Sequence, residues 1–100
     1  MSQVRFNTEY NNEPALVVAG WDRPLQYYHL TVFNNDENAE KECFYSDLDE
    51  PNPFSVKTIV PIQEKLKEMN IVPPDGFWDL VSKKEGNVFH TYVDSKWVRL

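Results

Sequence analysis

The chain has 100 residues, of which 41% are hydrophobic, 14% aromatic and 26% charged, and its formal net charge is −6. This composition excludes a wholly disordered chain, and the sequence has no run of about 18 apolar residues of the kind that crosses a bilayer. We therefore expect a single domain over residues 1–100, without membrane contact and located in the cytoplasm.

The first half of the chain has the residue pattern of β-strands. Apolar and polar residues alternate over residues 4–10, which predicts a strand with one buried face. After a turn at residues 11–14, residues 15–21 are apolar on both faces, which is typical of a central strand. Residues 25–33 are again rich in β-forming types, and residues 43–46 can form a short fourth strand. This spacing predicts an antiparallel meander.

The stretch GWDRPLQYY, residues 20–28, connects two of these predicted strands. Its proline is disfavoured in a central strand and its aspartate favours the start of a turn, so we predict a hairpin connection. The stretch also holds residue types that often dominate the binding energy of protein interfaces, namely Trp21, Arg23 and Tyr27. A structural corner and a binding loop are both compatible with this pattern.

Helical spacing characterises the second half. Apolar residues recur at intervals of three and four, which predicts an amphipathic helix over about residues 58–69 with Thr58 as its N-cap. A second helix is predicted to begin at Pro74 and to end at Gly86. Its predicted buried stripe consists of Phe77, Leu80 and Val81.

Two alternating segments, residues 88–93 and 96–100, predict one or two C-terminal strands on either side of an Asp94-Ser95 turn. The predicted fold class is therefore α+β. We expect an antiparallel β-meander of about four N-terminal strands, plus one or two C-terminal strands, packed against two consecutive helices.

The charge imbalance is concentrated in residues 35–50, which hold seven acids and the single base Lys41. Such a surface repels phosphate backbones, so we expect no direct nucleic-acid binding. The segment is either a solvated loop or a binding surface, and a narrower hypothesis makes it an inhibitor that mimics nucleic-acid charge. Within this segment, the predicted contact residues for a partner are Asp36, Glu37, Glu40 and Glu42.

Catalytic and metal chemistry have weaker sequence support. Cys43 is the only cysteine, and the acids beside it disfavour the thiolate that a nucleophile needs. His29 and His90 lie far apart, without neighbours at zinc-ligand spacing. The acids Asp47 and Asp49 lie in a loop that lacks the glycine and distal glutamate of an EF-hand. We expect no metal site and no cofactor.

These observations favour a non-enzymatic interaction or regulatory module. Its partner would be another protein, or a second copy that pairs through a strand edge. The alternatives are the acidic inhibitor and a small enzyme or a ligand- or metal-binding protein. The residues of that last alternative are His29, Cys43, Asp47 and Asp49. An enzyme requires polar side chains that converge in a pocket, whereas an interaction module requires an exposed apolar or charged patch.

Overall fold

The computed structural model describes residues 2–35, 43–47, 50–51, 56–84 and 88–100. Within this part of the chain there are six strands and two helices. Their bounds are β1 Gln3–Tyr10, β2 Glu13–Asp22, β3 Tyr27–Asn34, β4 Cys43–Ser46, α1 Val60–Glu68, α2 Phe77–Val81, β5 Phe89–Val93 and β6 Lys96–Arg99. Neither described helix is long and apolar enough to cross a bilayer.

The strands form one sheet in the order β4-β3-β2-β1-β5-β6. Every neighbouring pair is antiparallel except β1 and β5, which run parallel. The predicted α+β class is confirmed, with a sheet that is mostly antiparallel. The chain leaves β4 at one edge and returns beyond β1, and this long connection carries both helices, as a parallel pairing requires.

Both helices pack on one face of the sheet, which we call the helix-covered face. Phe6 on β1, Val17 on β2 and Leu30 on β3 are buried there, because side chains alternate between the two faces of a strand. The helices contribute buried residues to the same cluster, namely Ile62, Leu66, Phe77 and Val81. Burying these side chains supplies the main driving force for folding, at about 25 cal/mol per Å² of apolar surface.

Two hairpin turns have the backbone geometry that short hairpins favour. Asn11 and Asn12 have φ of 51° and 65°, and Asp94 and Ser95 have φ of 53° and 63°. Two successive positive φ values match the right-handed twist of the flanking strands, and Asn and Asp tolerate this conformation best. The Asp94-Ser95 turn is confirmed. The first turn is shorter than predicted, because Pro14 already pairs with Glu9.

Several predicted boundaries are wrong by a few residues. Helix α1 begins at Val60, and its N-cap is Ile59 rather than Thr58. Helix α2 begins at Phe77 rather than Pro74, because Gly76 has a φ of 90° that a right-handed helix cannot contain. Strand β3 begins at Tyr27, two residues after the predicted start, since residues 23–26 form the turn. Helix α2 also ends early, at Val81 with Ser82 as its C-cap, whereas the prediction continued it to Gly86, a residue outside the described part of the chain.

Candidate functional site

The face of the sheet opposite the helices carries a mixture of apolar and polar side chains, and we call it the open face. Its residues alternate along each strand with those of the helix-covered face. Strand β2 is apolar on both faces, so the open face differs from an ordinary solvated surface. The open face includes Gln3, Arg5, Asn7, Leu16, Val18, Gly20, Asp22, Tyr27, His29, Thr31, Phe33, Phe89, Thr91, Val93, Lys96 and Val98.

A cleft of about 580 Å³ lies on this face over strands β1 to β3. Its volume falls within the roughly 300–1,000 Å³ range of small-molecule sites. Leu16, Val18 and Phe33 supply apolar lining, while Asn35, the first residue of the acidic segment, and Asp47, near the C-terminal end of that segment, also line the cleft. The remaining lining residues are Gln3, Arg5, Tyr27, His29, Thr31 and Asn34.

The N-terminal segment fixes His29 at one end of the cleft. Ser2 donates its backbone N–H to the Trp21 carbonyl at 2.9 Å and accepts the Trp21 N–H on its hydroxyl at 3.0 Å. The Ser2 carbonyl lies 3.0 Å from Nε2 of His29, and because a carbonyl only accepts, Nε2 donates. A Cβ on Gly20 would lie 2.1 Å from that carbonyl oxygen, so only glycine permits this approach.

Two titratable groups at this end of the cleft, His29 and Tyr27, are neutral near pH 7. Burial lowers the pKa of His29, and the Ser2 carbonyl and the carboxylates of Asp47 and Asp22 oppose that shift. Burial, followed by the charges of Asp47 and Asp22, raises the pKa of Tyr27. Because the neutral imidazole donates through Nε2, its Nδ1 is a hydrogen-bond acceptor. His29 and Tyr27 can therefore form hydrogen bonds with polar groups of a ligand without bringing a charge into the cleft.

Arg5 supplies the positive charge of the cleft. It lies on β1 between Val18 of β2 and Thr91 of β5, and it is half-buried. Its Nε is enclosed by protein atoms and has no hydrogen-bond partner among the described residues. None of the described carboxylates forms an ion pair with it. A partly buried cation without a counter-charge is costly, which makes Arg5 a candidate for contact with a ligand.

The interface residues predicted in the hairpin occupy three different environments. Trp21 is 8% exposed, and its ring meets that of Tyr28 edge to face at 4.7 Å between centroids. The Lys84 ammonium lies 4.7 Å above the Trp21 ring. Arg23 is exposed in the turn, and Tyr27 is buried at the end of the cleft. The structure therefore places only Tyr27 at the site.

The predicted acidic contact residues and Asp49 lie outside the described residues, so their prediction stays untested. The acids concerned are Asp36, Glu37, Glu40 and Glu42.

The structure brings together only part of the enzyme alternative. His29 and Asp47 line the same cleft. Cys43 pairs with Phe33, which is four residues or about 13 Å along β3 from His29. His90 pairs with Val4 and so belongs to the helix-covered face. These positions give Cys43 no nearby histidine base within the described chain, and no described group of three or more His, Cys, Asp or Glu residues could hold a metal ion.

Sequence reasoning missed Arg5 as a site residue. Arg5 looks like one of the solvated polar positions of an amphipathic strand, because it alternates with Val4 and Phe6. The available signal was the neighbouring strand β2. A central strand that is apolar on both faces partly buries whatever lies beside it, so the polar positions of β1 are less solvated than their alternation implies.

No protein-family model, curated protein or solved structure matches this chain. The proposed function therefore depends on the geometry of the cleft and of the open face.

Proposed function

We propose that this chain is a non-enzymatic interaction module that binds a basic partner protein through the open face of its sheet. The observation that carries this proposal is the exposure of large apolar side chains there: Phe33 is 40% exposed and Val93 is 46% exposed. Phe33 pairs across the sheet with Leu16, which adds a half-buried neighbour. Phe33, Leu16 and Val93 share the face that no described helix covers, on strands β3, β2 and β5, and exposed apolar surface of this kind is typical of interaction sites.

The distribution of charge supports a basic partner. The acidic segment, residues 35–50, carries the whole net charge of the chain, and both Asn35 and Asp47 line the cleft. Two described residues of the segment therefore lie in the cleft of the open face. A partner with complementary positive charge would be attracted to this edge while its apolar groups cover Phe33.

The hairpin of the GWDRPLQYY stretch fits the same proposal. Asp22 accepts a hydrogen bond from the Leu25 N–H at 3.2 Å, which fixes the turn. The turn presents the exposed Arg23 beside Tyr27, while Trp21 anchors it in the core. We assign positioning roles to the buried Trp21 and Tyr27, and a contact role with the partner to the exposed Arg23. Pairing of a second copy at a strand edge is the competing outcome.

Site-specific photo-cross-linking tests the proposal. Benzoylphenylalanine replaces Phe33 in one protein, and it replaces Glu64, an exposed residue of α1, in the matched control. We expect covalent adducts with a partner in native lysate from position 33 and none from position 64. Adducts from position 64 alone, or equally from both positions, would contradict binding through the open face.

A purified captured protein allows a quantitative test. Phe33→Asp should weaken its binding by roughly tenfold or more, since a charge would enter an apolar contact. Neutralising the acids should slow association and reduce its salt dependence, with a smaller effect on dissociation. The changes are Asp36→Asn, Glu37→Gln, Glu40→Gln and Glu42→Gln. An affinity unchanged by Phe33→Asp would refute the assigned surface, and competition by DNA would favour the nucleic-acid mimic.

The convergence of His29 and Asp47 in one cleft favours a second candidate, a small ligand-binding protein or enzyme. A base and an acid that share a cleft are the minimum for proton transfer. A screen of metabolites by thermal shift, with wild type beside His29→Gln, separates the two candidates. A stabilising metabolite whose effect requires His29 would favour the ligand binder, whereas no hit would favour the interaction module.

A further inference from the structure

We propose that the cleft binds a small organic carboxylate, with Arg5 as the residue that receives the carboxylate group. This inference goes beyond the interaction with a partner protein and does not depend on it. The proposal is based on three observations: Arg5 has no counter-charge among the described residues, carboxylates lie near the cleft, and the cleft floor is apolar.

Arg5 is placed to bind an anion. Its guanidinium is half-buried in the centre of the open face, Nε is sealed by protein atoms, and no described carboxylate pairs with it. The two Nη atoms are the part of the guanidinium that a ligand would reach. Threonine or glutamine at position 5 would also be compatible with a strand, and neither would bury a charge that lacks a counter-charge. A ligand that supplies the missing negative charge would explain why an arginine occupies this position.

The surrounding charges select a monoanion over a dianion. Asp47 lines the same cleft, and Asp22 lies in the same strand row as Tyr27. These carboxylates repel added negative charge, and Arg5 is the one arginine or lysine among the lining residues of the cleft. A carboxylate, which matches the fork of a guanidinium with a single charge, is favoured over a phosphate dianion.

The floor of the cleft defines the rest of the ligand. Val18 lies directly beside Arg5, and Leu16 and Phe33 continue the apolar surface away from it. An aliphatic or aromatic body next to the carboxylate would bury this surface. At the other end, Nδ1 of the neutral His29 can accept a hydrogen bond. The ligand class is thus an apolar carboxylate, and benzoate and hexanoate are suitable probes.

The three arginines of the chain provide an internal comparison for a nuclear magnetic resonance titration. Arg5 lies in the cleft, Arg23 is exposed in the hairpin turn, and Arg99 is exposed on β6. The Nε–Hε signals are followed as sodium benzoate is added at constant ionic strength, because salt screens exposed charges. We expect a saturable shift of the Arg5 signal. The signals of Arg23 and Arg99 should move little and without saturation.

Matched ligands and variants complete the test. Neutral benzamide should leave the Arg5 signal unchanged, and sodium phosphate should bind at least several-fold more weakly than benzoate. Arg5→Gln should weaken benzoate binding by roughly tenfold or more, followed at the amide signals of Val18 and Thr31, while Arg99→Gln, at an exposed position on β6, leaves it unchanged. Arg5→Lys keeps the charge but loses the fork, so its binding should be intermediate.

Each contrary result overturns a defined part of the inference. An Arg5 shift no larger than that of Arg23, or benzoate binding unaffected by Arg5→Gln, would refute the site. Tighter binding of phosphate than of benzoate would refute its selectivity for carboxylates. None of these results depends on the partner protein, so the proposed interaction is tested separately by the cross-linking experiment.

Discussion

The two faces of the sheet use the same strands for different purposes. On the helix-covered face, neighbouring strands place Phe6, Val17 and Val32 side by side, and all three are buried beneath the helices. On the open face, the adjacent row holds Arg5, Val18 and Thr31, which mixes a charge, an aliphatic group and a hydroxyl. The first composition is suited to folding, while the second leaves a charge and an apolar surface for a ligand or partner.

This difference leads to a general expectation. Substitutions of buried residues on the helix-covered face should change the free energy of unfolding, whereas substitutions of exposed or half-buried side chains on the open face should change binding.

The largest contrast is expected between two phenylalanines. Phe77 is fully buried and meets the Phe6 ring edge to face at 5.0 Å between centroids. Phe77→Ala should lower the free energy of unfolding by about 3–5 kcal/mol, because it removes a large buried ring and leaves a cavity. Phe33→Ala on the open face should cost less than about 1 kcal/mol. Urea denaturation measures both, and equal losses would show that the open face also stabilises the fold.

The contact between Ser2 and Gly20 should be the next most sensitive feature. Gly20→Ala places a methyl group against the Ser2 carbonyl and 2.9 Å from Nε2 of His29. We expect a loss of about 2–3 kcal/mol, measured by thermal and urea unfolding. Gly76→Ala is the comparison variant and should cost less, about 1–2 kcal/mol, since it combines a φ of 90° with a milder contact, 3.2 Å between the new Cβ and Nε1 of Trp97. A smaller loss for Gly20→Ala than for Gly76→Ala would contradict the described approach of Ser2.

The hairpin turn allows a comparison between adjacent residues. Asp22→Ala removes the side-chain acceptor of the Leu25 N–H and should destabilise the chain by about 1 kcal/mol. Arg23→Ala, at the next position, should change stability by less than about 0.5 kcal/mol, because its side chain is exposed. Denaturation of the two variants in parallel measures the difference. A larger effect of Arg23→Ala would give Arg23 a structural role in the turn.

The smallest expected effect is a dependence of stability on pH through His29. Its pKa in the folded chain lies below its ordinary value of 6.5, so the unfolded chain binds more protons as the pH falls. The contribution of the neutral imidazole is complete above about pH 6.5 and decreases as the pH falls towards the folded pKa. His29→Gln should therefore lose less stability than wild type on acidification through this window. A His29→Gln variant that loses stability as steeply as wild type over this pH range would contradict the assignment.

The sequence predicted those features that depend on local alternation and turn chemistry. The alternating pattern of β1, the two-sided apolar pattern of β2 and the Asp94-Ser95 turn all depend on neighbours within a few residues. Helix ends were predicted less well, since Gly76 adopts a left-handed conformation that its residue type allows but does not require. The parallel pairing of β5 with β1 joins distant segments, and no local pattern encodes it.

The candidate site was predicted only in part for a related reason. The sequence identified Tyr27, His29 and Asp47 as residues of interest, and the structure places all three in one cleft. It did not identify Arg5, because alternation tells which residues share a face but not whether that face is covered by helices. The packing of α1 and α2 on a single face determines that outcome, and this packing is a tertiary property.

The most direct test of the division between the two faces is a double variant, Arg5→Thr with Phe33→Thr. Threonine suits a strand, and the two sites belong to different rows of the open face. We predict a free energy of unfolding within about 1 kcal/mol of wild type, together with loss of benzoate binding. A loss of about 3 kcal/mol or more, comparable to that of a buried core residue, would contradict the account.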